Sequence, residues 1–408
     1  MSQISDFHPE VIEAIDPDHV YRSGGRRGVW DREKRLAEMN REGVAAEVVF
    51  PIDHKAVPLF FTGANRKYAA DLRQAGVRAY HRWVLDTFGG AFDRMFVAAE
   101  AGPCIDMNAT IAETTWAFES GLHGVMAPGS TGDQSLPPPY HPYFDRLWSL
   151  YEEAGGPVYV HAGYGIEQGE WSARIEPVIK NMEAAGRTDL LAELLHHVSE
   201  GIFPLDLRPR QFMWQMMFGG VFDRHPNLRI MLCEIRGDWI PDTLWYLDAY
   251  YERNRHRIPA LRKPSEYFAI NFGVVLSFVH KSEVGMFEQI GLESVMFGRD
   301  YPHAEGTWPN TSDWLCDSLQ TVPDPILIKF LGENAVRLLG LDGNHLAEIA
   351  AEIGPTCFDV NGRTPDIDPR CIESWDQRGG YLKPPEIVDL TAVGRLVGRE
   401  IDFLSTLS

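Results

Sequence analysis

Residues 229–234 read RIMLCE, and residues 156–163 read GPVYVHAG. Each stretch holds a short apolar run that ends on a reactive side chain, Glu234 in the first and His161 in the second. Uninterrupted apolar runs of this length are typical of parallel strands buried on both faces. Five further runs of this kind occupy residues 44–50, 95–99, 124–127, 268–272 and 294–298. Segments with apolar residues at helical spacing lie between the runs, so the pattern predicts a parallel sheet with helices outside it.

The number of strands makes the fold prediction specific. A (β/α)8 barrel has eight parallel strands, and the seven runs account for the second to the eighth. The remaining strand would come first, but residues 1–30 are polar and contain no convincing buried strand. We therefore expect an α/β fold of the (β/α)8 TIM-barrel type that lacks its usual first strand.

The other segments indicate the domain organisation. Residues 1–30 are predicted to form an N-terminal segment, and residues 31–340 the barrel. Residues 171–218 form a long insertion with a helical pattern. Residues 341–408 contain scattered prolines and two short helical patterns, and we expect them to form a C-terminal extension packed on the barrel.

Composition excludes several classes of function. The net charge of −20 argues against nucleic acid and an anionic membrane as partners. No apolar run reaches the roughly 18 residues of a membrane-spanning helix. The five cysteines are scattered and form no CxxC pair, which fits a reducing cytoplasm. The expected partner is a small-molecule substrate, and the expected oligomer is a homodimer because two-fold dimers are the commonest.

The residues at the strand ends indicate the chemistry. In barrels of this type the active site lies at the C-terminal ends of the strands, where the sequence places His161, Glu234 and Asp300. Imidazole and carboxylate groups that converge on one rim suit Zn²⁺, Mn²⁺ or Fe²⁺, and such an ion can polarise a carbonyl or activate water. Each residue also has a structural alternative, as a cap of the following turn or, for Glu234, as the ion-pair partner of Arg236.

Five motifs, in the expected order, resemble those of one family. The segment FGRDYPHAEGTWPN (residues 297–310) resembles the eighth-strand signature of the amidohydrolase-related family, within the amidohydrolase superfamily. The similarity is to the branch that includes aminocarboxymuconate-semialdehyde decarboxylase and the resorcylate decarboxylases. GPVYVHAG is similar to the fifth strand of that family. The other matching segments are residues 30–51, 225–248 and 334–341.

The resemblance implies roles for individual residues. In the family, the Asp of the DYPH segment and the His that ends the fifth strand bind a divalent metal, which implies Asp300 and His161 as ligands and Zn or Mn as the ion. Glu234 stands where characterised decarboxylases carry a His proposed to transfer protons, so we predict a general acid or base there. His303 is predicted to face the substrate pocket. Arg236 is predicted to hold a substrate carboxylate or to neutralise Glu234.

One part of the family pattern has no clear equivalent. Family members open with a strand ending in HxH, DxH or ExH, which supplies the first metal ligands. The segment Asp6-Phe7-His8 has suitable residue types but no strand before it. Asp6 and His8 are therefore weaker candidates for ligands than His161 and Asp300.

The expected function is metal-dependent hydrolysis or non-oxidative decarboxylation of a small carboxylate, ester, lactone or amide, with aromatic and cyclic compounds among the candidates. Both reactions use the same residues, so the sequence leaves them open. The alternative from another class is a truncated or non-catalytic barrel that acts as a binding protein, because loss of the first strand would remove two ligands. A nucleotide-binding enzyme is not favoured, since no GxGxxG motif follows a strand.

Overall fold

A computed structural model of the chain contains seven strands in its described part. The described residues are 16, 19–20, 25–51, 68–128, 136–164, 207–277, 279–303, 306–364, 366–372 and 386–406. The strands are β1 (Glu47–Val49), β2 (Met95–Val97), β3 (Val125–Met126), β4 (Val158–His161), β5 (Ile230–Ile235), β6 (Phe272–Ser277) and β7 (Val295–Gly298). Every pairing between them is parallel.

Helices separate the strands, as parallel pairing requires. They are Arg32–Arg41, Ala70–Phe88, Met107–Glu119, Asp145–Ala154, residues 207–218, Val221–Arg224, Ile240–Asn254, Pro264–Asn271, Lys281–Val284, Phe287–Ile290, Thr311–Leu319, Asp324–Ile328, Asn334–Leu339, Gly343–Ile353 and Glu386–Leu404. Asp31, Asp106 and Asp342 cap three of them by accepting backbone N–H groups. None of the described helices combines the length and apolar character needed to cross a bilayer.

The strands follow one another around a barrel. β1 pairs with β2, β3 to β7 form a second ladder, and a bridge between Ala99 and Val125 connects the two. One interior cluster contains side chains on β3, β4, β5 and β7, the residue directly after β2, and two residues of the helix Asn334–Leu339: Ala98, Met126, Tyr159, Met231, Cys233, Met296, Leu338 and Leu339. The alternate residues on the same strands pack outward against the helices. The α/β barrel predicted from the sequence is therefore confirmed.

The helix Asn334–Leu339 closes the N-terminal end of the barrel. Arg229, which precedes β5, donates from Nη1 to the Leu338 carbonyl at 3.1 Å. His123, which precedes β3, contacts the Leu339 carbonyl through Nε2 at 2.7 Å. Because this end is filled, a site inside the barrel can form only toward the C-terminal ends of the strands. The expected absence of a first strand concerns residues 1–30, most of which lie outside the described part of the chain.

The strand predicted at residues 268–272 is wrong. The structure has the helix Pro264–Asn271 there, and β6 begins only at Phe272. Pro264 at the first helical turn and Glu266, which accepts the Lys263 N–H at 2.8 Å, start the helix. A short apolar run does not distinguish a buried helix from a buried strand, and here the capping residues decide for the helix.

The insertion and the C-terminal extension are described in part. Residues 171–206 lie outside the described residues, whereas 207–218 are helical. The extension contains the helices Gly343–Ile353 and Glu386–Leu404. Gln215 of the insertion donates to Glu400 of the last helix at 2.9 Å, so these two segments contact one another. The domain boundaries at residues 31, 171, 218 and 341 stay predictions.

Candidate metal centre

The structure brings the residues singled out at the strand ends to one rim. His161 is the last residue of β4, Glu234 is the last but one of β5, and Asp300 follows β7 by two residues. Because the strands are parallel, their C-terminal ends share one end of the barrel. We call the four residues His161, Glu234, Asp300 and His303 the rim cluster.

His161 is oriented by contacts at both ring nitrogens. Its Nδ1 lies 3.0 Å from the carbonyl oxygen of Ala162, and its Nε2 lies 2.9 Å from Oε2 of Glu234. Phe50 packs edge-on against the imidazole, with ring centroids 5.4 Å apart. When Nδ1–H donates to a backbone carbonyl, Nε2 points at the cluster, which is how metal-binding histidines are commonly held.

The surrounding charges favour the protonated form of His161. Burial by itself lowers the pKa of His161, but the Glu234 carboxylate, the hydrogen bonds to Glu234 and Ala162, and the Asp300 charge together raise the pKa above its usual value. In the protonated form of His161, the Nε2 proton lies between the imidazole and the Glu234 carboxylate. A cation that binds through Nε2 has to displace this proton.

Glu234 reaches the rim cluster because β5 is irregular at this residue. Met231 and Cys233 face the barrel interior, whereas Ile230, Leu232 and Ile235 pack in the outer core. Strict alternation would turn Glu234 outward with Leu232. The pairing with β6 shifts between Cys233 and Ile235, and Glu234 has φ of +53°. Such a bulge re-aims a side chain, and here it brings the carboxylate to His161.

Asp300 and His303 come from the loop after β7. Asp300 has φ of +57°, which is uncommon for a residue with a side chain and recurs at functional sites. The His303 N–H donates to the Asp300 carbonyl at 2.9 Å, and His303 Nδ1 lies 3.2 Å from Asp300 Oδ2. One potential ligand atom from each of Glu234, Asp300 and His303 lies within 4.8 Å of the other two. Carboxylates and an imidazole in so small a space form a donor set suited to a divalent ion.

Arg236 lies in the loop that follows β5. Its Nε and Nη2 are each 3.2 Å from Asp238 Oδ2, and Nη2 is 3.3 Å from the Ser282 hydroxyl. Nearby, Glu283 is fully buried and accepts the Gly237 N–H at 2.8 Å and the His280 N–H at 3.1 Å. Burial raises the pKa of Glu283, although Arg236 opposes the shift. The loops after β5 and β6 are thereby fixed together, and a role for Arg236 toward substrate stays a prediction.

Two aromatic residues at the site were not anticipated from the sequence. Tyr159 precedes His161 by two residues on β4 and lies in the barrel interior. Phe50 contacts both rings, with its centroid 5.1 Å from that of Tyr159. The two-residue period of a strand places Tyr159 on the same face as His161. No sequence pattern pairs Phe50 with a residue more than a hundred positions away. The weaker candidates Asp6 and His8 lie outside the described residues.

The motifs, the barrel and the rim cluster agree with a comparison of the whole chain with protein families. The family model described as Amidohydrolase matches residues 5–341. The chain belongs to the amidohydrolase family. This confirms the resemblance drawn from the strand motifs. The matched region begins at residue 5, whereas the first motif recognised in the sequence begins at residue 30.

Curated relatives of this amidohydrolase are decarboxylases. The chain is 31% identical over 136 residues to gamma-resorcylate decarboxylase of Rhizobium radiobacter, an alignment that covers 32% of this chain and 39% of the relative. The chain thus spans about two fifths of that relative's length. It is 24% identical over 324 residues to 2-amino-3-carboxymuconate-6-semialdehyde decarboxylase of Dictyostelium discoideum, which covers 77% of this chain and 78% of the relative.

A solved structure with the same fold contains a metal. It is a dihydroxybenzoic acid decarboxylase from Polaromonas sp. JS666 with bound manganese and the inhibitor 2-nitroresorcinol. It superimposes with a TM-score of 0.54 at 18% identity and covers 82% of this chain and 94% of its own. At this identity the likeness supports the barrel fold alone.

Proposed function

We propose that the chain is a divalent-metal-dependent enzyme that decarboxylates a hydroxylated aromatic carboxylate without oxidation. The observation that carries the proposal is the rim cluster, where potential ligand atoms of Glu234, Asp300 and His303 lie within 4.8 Å of one another. Relatives named for decarboxylation of resorcylate and of a carboxymuconate semialdehyde support the reaction class. The net charge of −20 does not prevent binding of an anionic substrate, because a local cation can offset it.

The donor chemistry of the rim cluster fits Mn²⁺ or Zn²⁺. Imidazole nitrogen and carboxylate oxygen are ligands that both ions accept. We assign Asp300 and His161 as the residues that would hold the ion, with His303 near enough to join them. When bound, a divalent ion would supply positive charge that stabilises oxygen atoms of the substrate.

Glu234 is the proposed source of the proton. Decarboxylation breaks the bond between a ring carbon and the carboxylate carbon, releases CO₂, and requires a proton at that ring carbon. Glu234 is buried at the rim, with its carboxyl 2.9 Å from the proposed metal ligand His161. In the proposed step the carboxyl proton of Glu234 passes to the ring carbon, and solvent restores it afterwards.

Hydrolysis is the second candidate, and the identity of residue 234 favours it. A carboxylate at this position can take a proton from a water molecule that attacks an ester, lactone or amide carbonyl. The donor set is the same, so only the products separate the two reactions. A barrel that only binds ligands, the third alternative, would show neither reaction.

The first test is metal content combined with product analysis. The protein is purified as wild type and as Asp300→Asn, its metal is measured by elemental mass spectrometry, and it is incubated with dihydroxybenzoates, 5-carboxyvanillate and a panel of lactones. The expected result is about one Mn or Zn per chain, loss of that metal in Asp300→Asn, and release of CO₂ from at least one aromatic acid.

The matched control is Asp313→Asn. Asp313 pairs with Arg363 at 3.7 Å on an outer helix and is half exposed, so it should keep wild-type metal content and turnover. Lactone or ester cleavage without CO₂ release would replace decarboxylation by hydrolysis. Absence of metal after incubation with Mn²⁺ and Zn²⁺, together with absence of turnover, would sink the enzyme proposal in favour of a binding barrel.

A cytoplasmic location and a homodimer complete the proposal. The five cysteines are all free, which a reducing compartment allows. Fractionation of the native host and light scattering of the purified protein test these two points. Neither result bears on the chemistry of the rim cluster.

A further inference from the structure

Ion pairs connect the first and the last strand of the described barrel. Among the described residues, β1 pairs only with β2, and β7 only with β6, so no backbone ladder joins β1 to β7. Arg299, directly after β7, reaches instead to Glu47 of β1 with Nη2 at 2.9 Å and Nε at 3.2 Å from Oε2. We call Arg35, Glu47, Arg299 and Tyr301 the seam cluster.

The seam cluster is nearly closed to solvent, and Oε2 of Glu42 lies 3.7 Å from Nη1 of Arg299 at its edge. Arg35, on the helix Arg32–Arg41, bonds to the second oxygen of Glu47, so each carboxylate oxygen has its own arginine. The exposed fractions of the Arg35, Arg299 and Glu47 side chains are 6%, 5% and 10%. Burial by itself raises the pKa of Glu47, but Arg299 and Arg35 outweigh burial and lower it. The Glu47 carboxylate is therefore charged, and each of its two oxygens is bound by an arginine.

An aromatic ring fixes the two guanidinium groups. The Tyr301 ring centroid lies 4.2 Å from Cζ of Arg35 and 4.8 Å from Cζ of Arg299. Cations at this distance from an aromatic face are attracted to it, more strongly when water is excluded. Tyr301 is itself packed edge-on against the buried Trp308 at 5.1 Å. Arg299 is thereby held by an anion at its tip and a ring at its side.

The main chain of Arg299 is held as well. Its carbonyl accepts the Thr307 N–H at 3.0 Å. Gly306 packs so closely that a Cβ there would lie 2.6 Å from the Arg299 oxygen and 2.7 Å from the Asp300 oxygen. The next residue, Asp300, carries its side chain on a backbone with φ of +57°. A residue in this region stays there only when its surroundings enforce the conformation.

From these contacts we infer that Arg299 is a positioning residue for Asp300. Its side chain, anchored on Glu47, and its carbonyl, anchored on Thr307, fix the peptide that leads into Asp300 and so aim the Asp300 carboxylate into the rim cluster. The Arg299 guanidinium is turned to Glu47 and is not one of the donors of the rim cluster. The inference rests on the proposed function, in which Asp300 is a metal ligand.

The experiment measures Mn²⁺ affinity by calorimetry for wild type, Arg299→Met, Arg299→Lys, Glu47→Gln and Asp300→Asn. Urea unfolding of each protein in the presence of a chelator reports stability without metal. The matched control is Glu113→Gln, because Glu113 is also a buried carboxylate that pairs with an arginine, Arg82, but on the outer helix Met107–Glu119. The electron paramagnetic resonance spectrum of bound Mn²⁺ adds a readout of ligand geometry.

We expect the Arg299 and Glu47 variants to bind Mn²⁺ roughly 10- to 100-fold more weakly, the range for loss of a group that orients a metal ligand, with an altered spectrum. Arg299→Lys keeps the charge and should lose less affinity than Arg299→Met, and it serves if the latter does not fold. Glu113→Gln should lose stability but keep its affinity within about twofold of wild type, well short of that range.

Wild-type affinity and spectrum in Arg299→Lys and Glu47→Gln, with loss of binding in Asp300→Asn, would overturn the positioning role alone. Wild-type affinity in Asp300→Asn as well would overturn the proposed metal site together with it. Equal weakening in Glu113→Gln would also overturn the positioning role, because loss of global stability would then account for the effect.

Discussion

The rim cluster and the seam cluster lie on either side of one peptide, between Asp300 and Arg299, yet they use charge in opposite ways. In the seam cluster two arginines share one carboxylate, and the pKa of Glu47 is lowered. In the rim cluster two carboxylates and two imidazoles face one another, and the pKa of His161 is raised. In the seam cluster the positive charges belong to arginine side chains. In the rim cluster the charges of the carboxylates favour binding of a proton by His161.

The difference distinguishes a structural charge network from the proposed metal site. A carboxylate that already faces two arginines has little to gain from a further cation. A group of donors that holds a proton between histidine and carboxylate exchanges that proton for a metal when one is available. Burial alone does not separate the two cases, because Glu47 and Glu234 are both nearly inaccessible.

The largest expected effect comes from breaking the seam. Glu47→Gln leaves Arg35 and Arg299 buried with a neutral partner, and loss of one partner of a buried ion pair costs about 3–5 kcal/mol. The free energy of unfolding of the metal-free protein, measured with urea, should fall by that amount. A decrease below about 1 kcal/mol, the level of an exposed pair, would show that solvent replaces the lost charge and that the seam is less closed than the structure indicates.

The second-largest effect is expected from a substitution in the rim cluster. Asp300→Asn should weaken Mn²⁺ binding at least 100-fold, about 2.8 kcal/mol at 1.4 kcal/mol per factor of ten, because a neutral amide is a poorer ligand than a carboxylate. The stability of the metal-free protein should stay equal or increase, since one negative charge leaves an acidic cluster. Calorimetry and urea unfolding measure the two quantities. A large loss of metal-free stability would make Asp300 part of the seam network rather than of the rim.

Lowering the pH should affect the rim cluster and the seam cluster at different pH values. His161 has a raised pKa in the metal-free protein, so below that pKa metal must displace a proton, and affinity should fall about tenfold for each pH unit. The same protonated His161 stabilises the metal-free fold at low pH, and that contribution is lost as the pH rises through its raised pKa. Glu47 has a lowered pKa, so its contribution persists above its usual value of 4.5 and is lost only as the pH falls through the lowered pKa.

Titration of Mn²⁺ affinity and of the urea midpoint from pH 8 to well below 4 tests this order. Metal release should come first, and unfolding of the seam should follow at lower pH. Affinity that does not vary with pH across this range would remove His161 from the set of ligands. If the protein instead unfolds at a higher pH than the one at which it releases metal, the expected order is wrong, and the seam cluster is more sensitive to acid than the rim cluster.

The smallest effect is expected at an exposed pair. Lys329 contacts Glu293 on the surface, with side-chain exposures of 37% and 58%. Lys329→Ala should change the free energy of unfolding by less than about 1 kcal/mol, because exposed ion pairs are screened by solvent. It should leave Mn²⁺ affinity unchanged. A change in affinity with this variant would mean that metal binding follows global stability and not the local geometry of Asp300.

The sequence by itself determined the barrel and the family. Seven apolar runs separated by helical patterns leave few alternatives to parallel strands, and the segments around His161 and Asp300 carry the family motifs. It also placed His161, Glu234 and Asp300 at strand ends, because the period of the pattern shows where each run stops. The run at residues 268–272 was assigned to the wrong element, since a five-residue apolar run has no period that distinguishes a helix from a strand.

Only the tertiary structure decided how these residues meet. Alternation along β5 turns Glu234 outward, and the bulge opposite β6 brings it to His161. No sequence pattern pairs Arg299 with Glu47, 252 positions earlier, and only the fold brings the two side chains together. Local patterns record which face of a strand a residue occupies, but they contain no information about which distant strand lies next to it. That information arises when the barrel closes and residues far apart in the chain are brought together at one rim.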